Sequence, residues 1–361
     1  MFTKIFIKPV DFDCNLSCEY CYNNANNYRV KPSGKIMDIG VFSEIIESIQ
    51  PYLDSKIGIV YHGGEALLAG KNFYAEADNI LKDILVKRGK RVDQFIQTNA
   101  TMVTDEWAKL LKNLEIWPST SLDGPKELHD KTRKGISGEG TYDSAMRGYW
   151  RLRNTVGFCG ALGVINKYTW DKAQVIFRWL LDNKIRTIDF LPCSPQRGID
   201  GDKSLSVTPE QATRFYIELF DLWFEEDDPN IRIRIFFDAI KGVLGEKPKV
   251  CSFNSNGCKV YISFDSSGDA YHCGRYDVYK ETCLGNIFND GIDYIIKEKL
   301  HGNLQKEIDE NQKHCNNCRW LRSCGGGCPF LKYSVNGNFN GVYSYCETRI
   351  KLFEHVEKRV N

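Results

Sequence analysis

Apolar and polar positions along the first 200 residues change period several times, from two to about 3.6 and back. Residues 3–9 (Thr-Lys-Ile-Phe-Ile-Lys-Pro) read as a strand, as do the runs at 57–61, 93–97, 116–121, 158–165 and 187–192. Between them, 40–51, 71–88, 104–113, 141–156 and 170–183 read as helices. Strands alternating with helices predict an α/β fold with a parallel sheet under a helical cover. The series stops near 200, so a partial (β/α)6 TIM-like barrel fits better than a closed eightfold one. In parallel barrels, sites form at the C-terminal ends of the strands.

The pattern then changes. Thr208-Pro209-Glu210-Gln211 opens a helix with a capping box and a proline at its first position. Phe215, Tyr216, Leu219, Phe220, Leu222 and Trp223 give that helix a broad apolar face for packing. From Cys251 onward Gly and Cys dominate, leaving room for few long helices. Residues 260–264 and 269–272, either side of Ser266-Ser267-Gly268, predict a hairpin. The expected organisation is a barrel over 1–200, a helical bridge over 201–249 and a Cys-rich domain over 250–361.

Composition narrows the functions. The formal net charge is +1, from 48 Lys and Arg against 47 Asp and Glu, with no basic stripe for nucleic acid. No apolar run reaches the length of a membrane span, and the first ten residues turn polar too soon for a signal peptide. Fourteen Cys without an export signal point to a reducing, cytoplasmic setting and to metal binding rather than disulfides. No segment announces an interface, so a monomer is expected.

Three of these Cys stand together, Cys14-x3-Cys18-x2-Cys21, just after the first strand. An iron–sulfur cube has four irons and normally takes four thiolates. Three thiolates leave one iron open, which suits the amine and carboxylate of S-adenosylmethionine (SAM). An electron from such a cluster could cleave the sulfonium and release a 5′-deoxyadenosyl radical. The alternatives are a zinc site, for which His62 is the nearest His without an obvious way to complete it, and plain buried thiols. With Tyr20 directly before the last Cys, the motif resembles the signature of the radical SAM superfamily.

A second array lies downstream. Cys258, Gly268, Cys273, Cys315, Cys318, Cys324, Cys328 and Cys346 are similar in order and spacing to the SPASM domain, which carries two auxiliary 4Fe–4S clusters. With Cys251 there are eight thiols, enough for two fully ligated cubes; a pair of zinc ribbons is the other use of this spacing. By resemblance, Cys251, Cys258, Cys273 and Cys328 hold the first auxiliary cluster, and Cys315, Cys318, Cys324 and Cys346 the second. Cys159, Cys193 and Cys283 are left over; Cys159 and Cys283 read as structural, and Cys193 as a core thiol or one facing the cavity.

The strand ends carry groups for SAM. Gly63, Gly64 and Glu65 follow the second strand: glycines allow close backbone approach, and the carboxylate can accept from the methionyl ammonium. Radical SAM enzymes usually have Pro where this chain has Ala66. Gln97, Asn99 and Ser121 are candidates for ribose and carboxylate, and Ser194 for adenine. Arg133 can clamp the methionyl carboxylate, with Arg147 as its rival.

Nearly the whole chain is similar to the anaerobic sulfatase-maturating enzymes and their peptide-modifying relatives. Local matches include Leu122-Asp123-Gly124-Pro125-Lys126-Glu127-Leu128-His129-Asp130, Phe237-Asp238 and Leu284-Gly285-Asn286-Ile287. In the sulfatase-maturating enzymes an Asp follows the third auxiliary Cys and serves as base; here Gly274 occupies that place. Asp277 is the nearest substitute and Asp238 a weaker one. The resemblance therefore implies three 4Fe–4S clusters, SAM, an electron donor such as flavodoxin or ferredoxin, and a ribosomal precursor peptide that receives a crosslink, either a cyclophane carbon–carbon bond or a thioether. Formylglycine formation is the alternative enzyme reading, and an electron carrier or cluster scaffold the non-enzyme one. Thirteen residues precede Cys14, so peptide recognition is expected from the barrel, the auxiliary domain or a partner.

Overall fold

The computed structural model describes residues 1–22, 34–195, 205–253, 257–310 and 312–361. All six expected strands form: β1 (Phe2–Ile7), β2 (Leu53–Tyr61), β3 (Arg91–Thr98), β4 (Ile116–Ser121), β5 (Gly160–Ile165) and β6 (Thr187–Pro192). Each pairs in parallel with the next. The connecting helices are α1 (Ile39–Ile49), α2 (Gly70–Leu81), α3 (Asp105–Asn113), α4 (Lys126–Thr132), α5 (Tyr142–Val156) and α6 (Ala173–Asp182). The sequence pattern misses α4, a seven-residue helix too short to show a period. Local chemistry sets the ends. The Asp38 carboxylate caps α1, Thr104 Oγ1 accepts from Trp107 N at 3.3 Å to cap α3, and Gly157 ends α5 with φ 87°.

Strand parity divides the barrel wall. Ile5, Ile7, Ile57, Ile59, Ile96 and Ile165 are buried and form the core with the covering helices. The alternate positions, among them Phe6, Phe95, Gln97, Leu162 and Val164, are only half-buried. Successive strand side chains point to opposite faces, so this second set faces the lumen. The core therefore lies between sheet and helices, while the lumen stays open at one end.

The sheet continues beyond six strands. β7 (Arg232–Ile233) adds in parallel to β6. At the opposite side β8 (Tyr261–Phe264) adds in parallel to β1, in register from Lys4 with Tyr261 to Ile7 with Phe264. β8 and β9 (Asp269–Tyr271) make the expected hairpin, and β10 (Gly285–Asn286) completes a ten-stranded sheet. The Asp11 carboxylate accepts from Ser266 N at 2.7 Å and Ser266 Oγ at 2.6 Å, tying the hairpin turn to the loop after β1. Beside this tie, Lys8 and Asp277 form an ion pair that is almost wholly buried.

α7 (Pro209–Glu226) opens with the expected capping box, Gln211 N donating to Thr208 Oγ1 and Thr208 N to Gln211 Oε1. α8 (Arg234–Val243) follows. The expectation of few long helices after Cys251 needs correction. A fifteen-residue helix spans Cys346–Val360 and packs on α7 and α8 through Leu352, Phe353 and Val356. Its buried face also includes Thr348 and Arg349, polar residues that interrupt the apolar period.

Removing Lys8 would leave Asp277 buried without a counter-charge. Lys8→Met is expected to lower the unfolding free energy by ~3–5 kcal/mol, and the double variant Lys8→Met/Asp277→Leu to recover most of it. Denaturant titration checks this; a Lys8→Met midpoint equal to that of the parent would remove the pair from any structural role.

Candidate active site

The open end of the lumen is a cavity of about 250 Å3 at the C-terminal ends of the strands. Cys14, Cys18 and Cys21 line it. Their loop is pinned to the segment after α4, with Ser17 N donating to Lys134 O at 2.8 Å and Glu19 N to Thr132 O at 2.9 Å. On its other side the loop meets Gly63 and Gly64. Gly64 N donates to Asp11 O at 2.7 Å, and a Cβ on Gly64 would lie 2.0 Å from Asp13 O. Gly63 has φ +124°, and both glycines line the cavity. These glycines thus let the end of β2 abut the cysteine loop as well as border the ligand space.

Gln97, Asn99, Ser121, Arg133 and Ser194 all reach the cavity, as does Tyr20. Gln97 Nε2 donates to Ser121 Oγ at 3.1 Å, and Asn99 Nδ2 to Asn15 Oδ1 at 2.9 Å. Arg133 Nε donates to Asp123 Oδ2 at 3.0 Å, and the Tyr20 hydroxyl donates to the same oxygen at 2.5 Å. Burial opposes the charge on Arg133, but Asp123, Tyr20 and Cys18 outweigh it and raise its pKa. Arg147 is exposed on the outer face of α5, beside Trp150, and is excluded as the rival clamp.

Two expected groups stand elsewhere. Glu65 is fully buried and does not line the cavity. Its Oε1 accepts from Thr98 Oγ1 at 2.7 Å and Leu67 N at 3.1 Å, and its Oε2 from Asn99 N at 2.7 Å. The carboxylate joins the loops after β2 and β3. Asp277, expected as a base, is buried against Lys8 and off the cavity wall. Burial raises its pKa, with Lys8 opposing. Among the described residues its Oδ1 has no hydrogen-bond partner. Asp238 accepts from Lys249 N at 2.7 Å and from Val250 N, a loop-capping role.

The cavity wall also holds Tyr22, Arg275, Phe330 and Leu331, which the sequence pattern passed over, and His62, which it weighed only for zinc. Among the described residues His62 Nδ1 has no partner, and burial, then Lys8 and Arg275, push the imidazole pKa down to about 3. Only the place of His62 directly after the second strand signals it. Arg275, Phe330 and Leu331 come from the Cys-rich region, and no local pattern marks them. Cys193 is buried and borders the cavity, whereas Cys159 is a core thiol 3.2 Å from Thr120 Oγ1.

Of the nine remaining thiols, Cys251, Cys258, Cys273 and Cys328 lie near one another, as do Cys315, Cys318, Cys324 and Cys346, while Cys283 stands apart beside Gly285 O. Burial, followed by the charges of Cys328, Cys273 and Cys251, raises the pKa of Cys258. Burial, followed by Cys324, Cys315 and Cys318, does the same to Cys346. Cys251 lies at the solvent edge of the first set. Among the described residues no three His, Cys, Asp or Glu side chains converge on a point as one metal ion requires. The all-thiol chemistry of each set fits an iron–sulfur cluster. The mixture of amide, hydroxyl and guanidinium groups opposite the triad fits SAM. At the triad, burial first and Cys21 and Asp123 after it push the Cys18 thiol up to about 12 against the opposing Arg133.

Residues 12–180 match the model of the radical SAM superfamily. A cysteine-type anaerobic sulfatase-maturating enzyme of Clostridium novyi is 30% identical over 97% of this chain and 94% of its own length. A serine-type anaerobic sulfatase-maturating enzyme of Bacteroides thetaiotaomicron is 29% identical over 98% of this chain and 89% of its own. The solved structure of native anSMEcpe with bound AdoMet superposes with a TM-score of 0.87 at 25% identity, covering 99% of this chain and 97% of that one. The fold and site thus define a radical SAM enzyme with a Cys-rich, SPASM-type C-terminal region. The chain belongs to the family that contains the anaerobic sulfatase-maturating enzymes.

Losing a charged hydrogen bond to a carboxylate costs about 1.5–3 kcal/mol. Arg133→Ala is therefore expected to weaken SAM binding by about tenfold or more, and Arg147→Ala to leave it unchanged. Equilibrium dialysis on the cluster-loaded protein reads both; equal losses would remove the distinction between the two arginines.

Proposed function

We propose that this chain is a radical SAM/SPASM maturase that oxidises a side chain of a ribosomally made precursor peptide and thereby closes an intramolecular crosslink, a cyclophane carbon–carbon bond or a thioether. One observation carries the reading: a single cavity is bounded by the Cys14–Cys21 loop and by Arg275, Phe330 and Leu331 of the Cys-rich region. A side chain entering it lies between the SAM groups and the first auxiliary thiol set.

In this reading Cys14, Cys18 and Cys21 hold a 4Fe–4S cluster with one iron open. Cys251, Cys258, Cys273 and Cys328 hold a second, and Cys315, Cys318, Cys324 and Cys346 a third. When bound, the clusters and SAM supply a carbon radical that removes a substrate hydrogen, and a path for the surplus electron. Gln97, Asn99, Ser121 and Ser194 orient SAM, and Arg133 takes its carboxylate. Asp123 and Tyr20 fix the Arg133 guanidinium, while Glu65 fixes the Asn99 loop. Leu162, Val164 and Leu191 give the substrate side an apolar wall.

Formylglycine formation is the second reading, favoured by the likeness to sulfatase-maturating enzymes along nearly the whole chain. Gly274 weighs against it, with Asp277 held by Lys8 and Asp238 held by backbone N–H groups. A flavodoxin or ferredoxin would supply electrons, and the cytoplasm is the fitting compartment. No helix among the described residues is long and apolar enough to cross a membrane.

Anaerobic reconstitution is expected to load about twelve irons and twelve sulfides per chain; a plateau near four would sink both auxiliary sites. Mass spectrometry after incubation with SAM and reductant separates the two readings. Loss of two hydrogens from a short precursor encoded nearby, with fragmentation blocked between two residues, is the expected result. An aldehyde in a sulfatase-derived peptide bearing Cys or Ser would establish the second reading instead.

A further inference from the structure

Arg275 follows the vacant-side-chain position Gly274 and faces two ways. Its Nη2 donates to Cys328 Sγ at 3.1 Å, and its accessible part borders the cavity. The guanidinium lies over the Phe330 ring, 4.6 Å from the centroid, which fixes its plane. Among the described residues it forms no ion pair with a carboxylate. A guanidinium this deep needs an anion, and its charged neighbours are sulfurs.

We propose that Arg275 is the positioning residue that sets the reduction potential of the first auxiliary cluster from the wall of the reaction cavity. The inference rests on the reading that Cys251, Cys258, Cys273 and Cys328 hold a 4Fe–4S cluster. A hydrogen bond to a ligating sulfur, and a positive charge beside it, withdraw electron density and favour the reduced, more negative cluster. Of the two auxiliary thiol sets, only the first accepts a hydrogen bond from this arginine.

The test is an EPR-monitored redox titration of the fully reconstituted parent, Arg275→Met and Arg275→Lys. Arg275→Met is expected to lower one auxiliary midpoint by about tenfold in the reduction equilibrium, ~59 mV for a one-electron couple. The other two midpoints and the SAM affinity are expected to stay unchanged. Arg275→Lys, which keeps the charge but not the fixed fork, is expected to fall between. Identical midpoints in the parent and a fully loaded Arg275→Met protein overturn the proposal. Loss of about four irons from Arg275→Met alone, with Arg275→Lys still full, supports the charge pairing; equal loss from both means packing only and overturns it. A parent that itself loads only about four irons overturns the cluster reading, and the role of Arg275 with it.

Discussion

The parallel ladder that β1 shares with both β2 and β8 is the constraint on which the rest of the molecule depends. One strand serves two halves. Its left and right neighbours belong to the barrel and to the Cys-rich region, and the loop leaving its C-terminal end carries the first three thiols. Register along this ladder decides how far the triad stands from the second thiol set. The Asp11–Ser266 contacts and the Lys8–Asp277 pair hold that register just beyond the last ladder rung. A slip of one residue would turn Lys8 to the opposite face and unmake the cavity.

Each thiol set sits with a cation. Arg133 lies beside Cys18, Arg275 beside Cys328, and Arg349 near Cys324. Arg349 is buried, stacked 3.8 Å from the centroid of Phe253, and Arg133 is buried as well. Thiolate-ligated cubes bring negative charge into a region of low dielectric, where an unbalanced ion costs several kcal/mol. The overall charge of +1 conceals this arrangement completely, since it depends on where cations stand and not on how many there are.

Much of the barrel was legible because its signals are local. Strand and helix periods, Thr208 as a cap, and polar residues after strand ends all act within a few positions. Tyr20, Gln97, Asn99, Ser121, Arg133 and Ser194, read that way, all reach one cavity. Glu65 was found by type but its hydrogen bonds to Thr98, Leu67 and Asn99 were not, because a carboxylate after a strand can face a ligand or a neighbouring loop and its partners lie on other elements. Arg275, Phe330 and Leu331 were not legible. They enter through the β1–β8 pairing, a contact across some 250 residues that leaves no periodic trace. The helix at Cys346–Val360 was hidden by polar residues on its buried side.

The division of the barrel wall by strand parity has a consequence for how such proteins diverge. Leu162, Val164 and Leu191 border the ligand space, while their neighbours Ala161, Ile165 and Phe190 are buried in the fold. Substrate preference and foldability are thus written on alternate letters of the same strands. Lineages can rewrite one set while keeping the other, so a common scaffold passes to new peptides without first having to be restabilised.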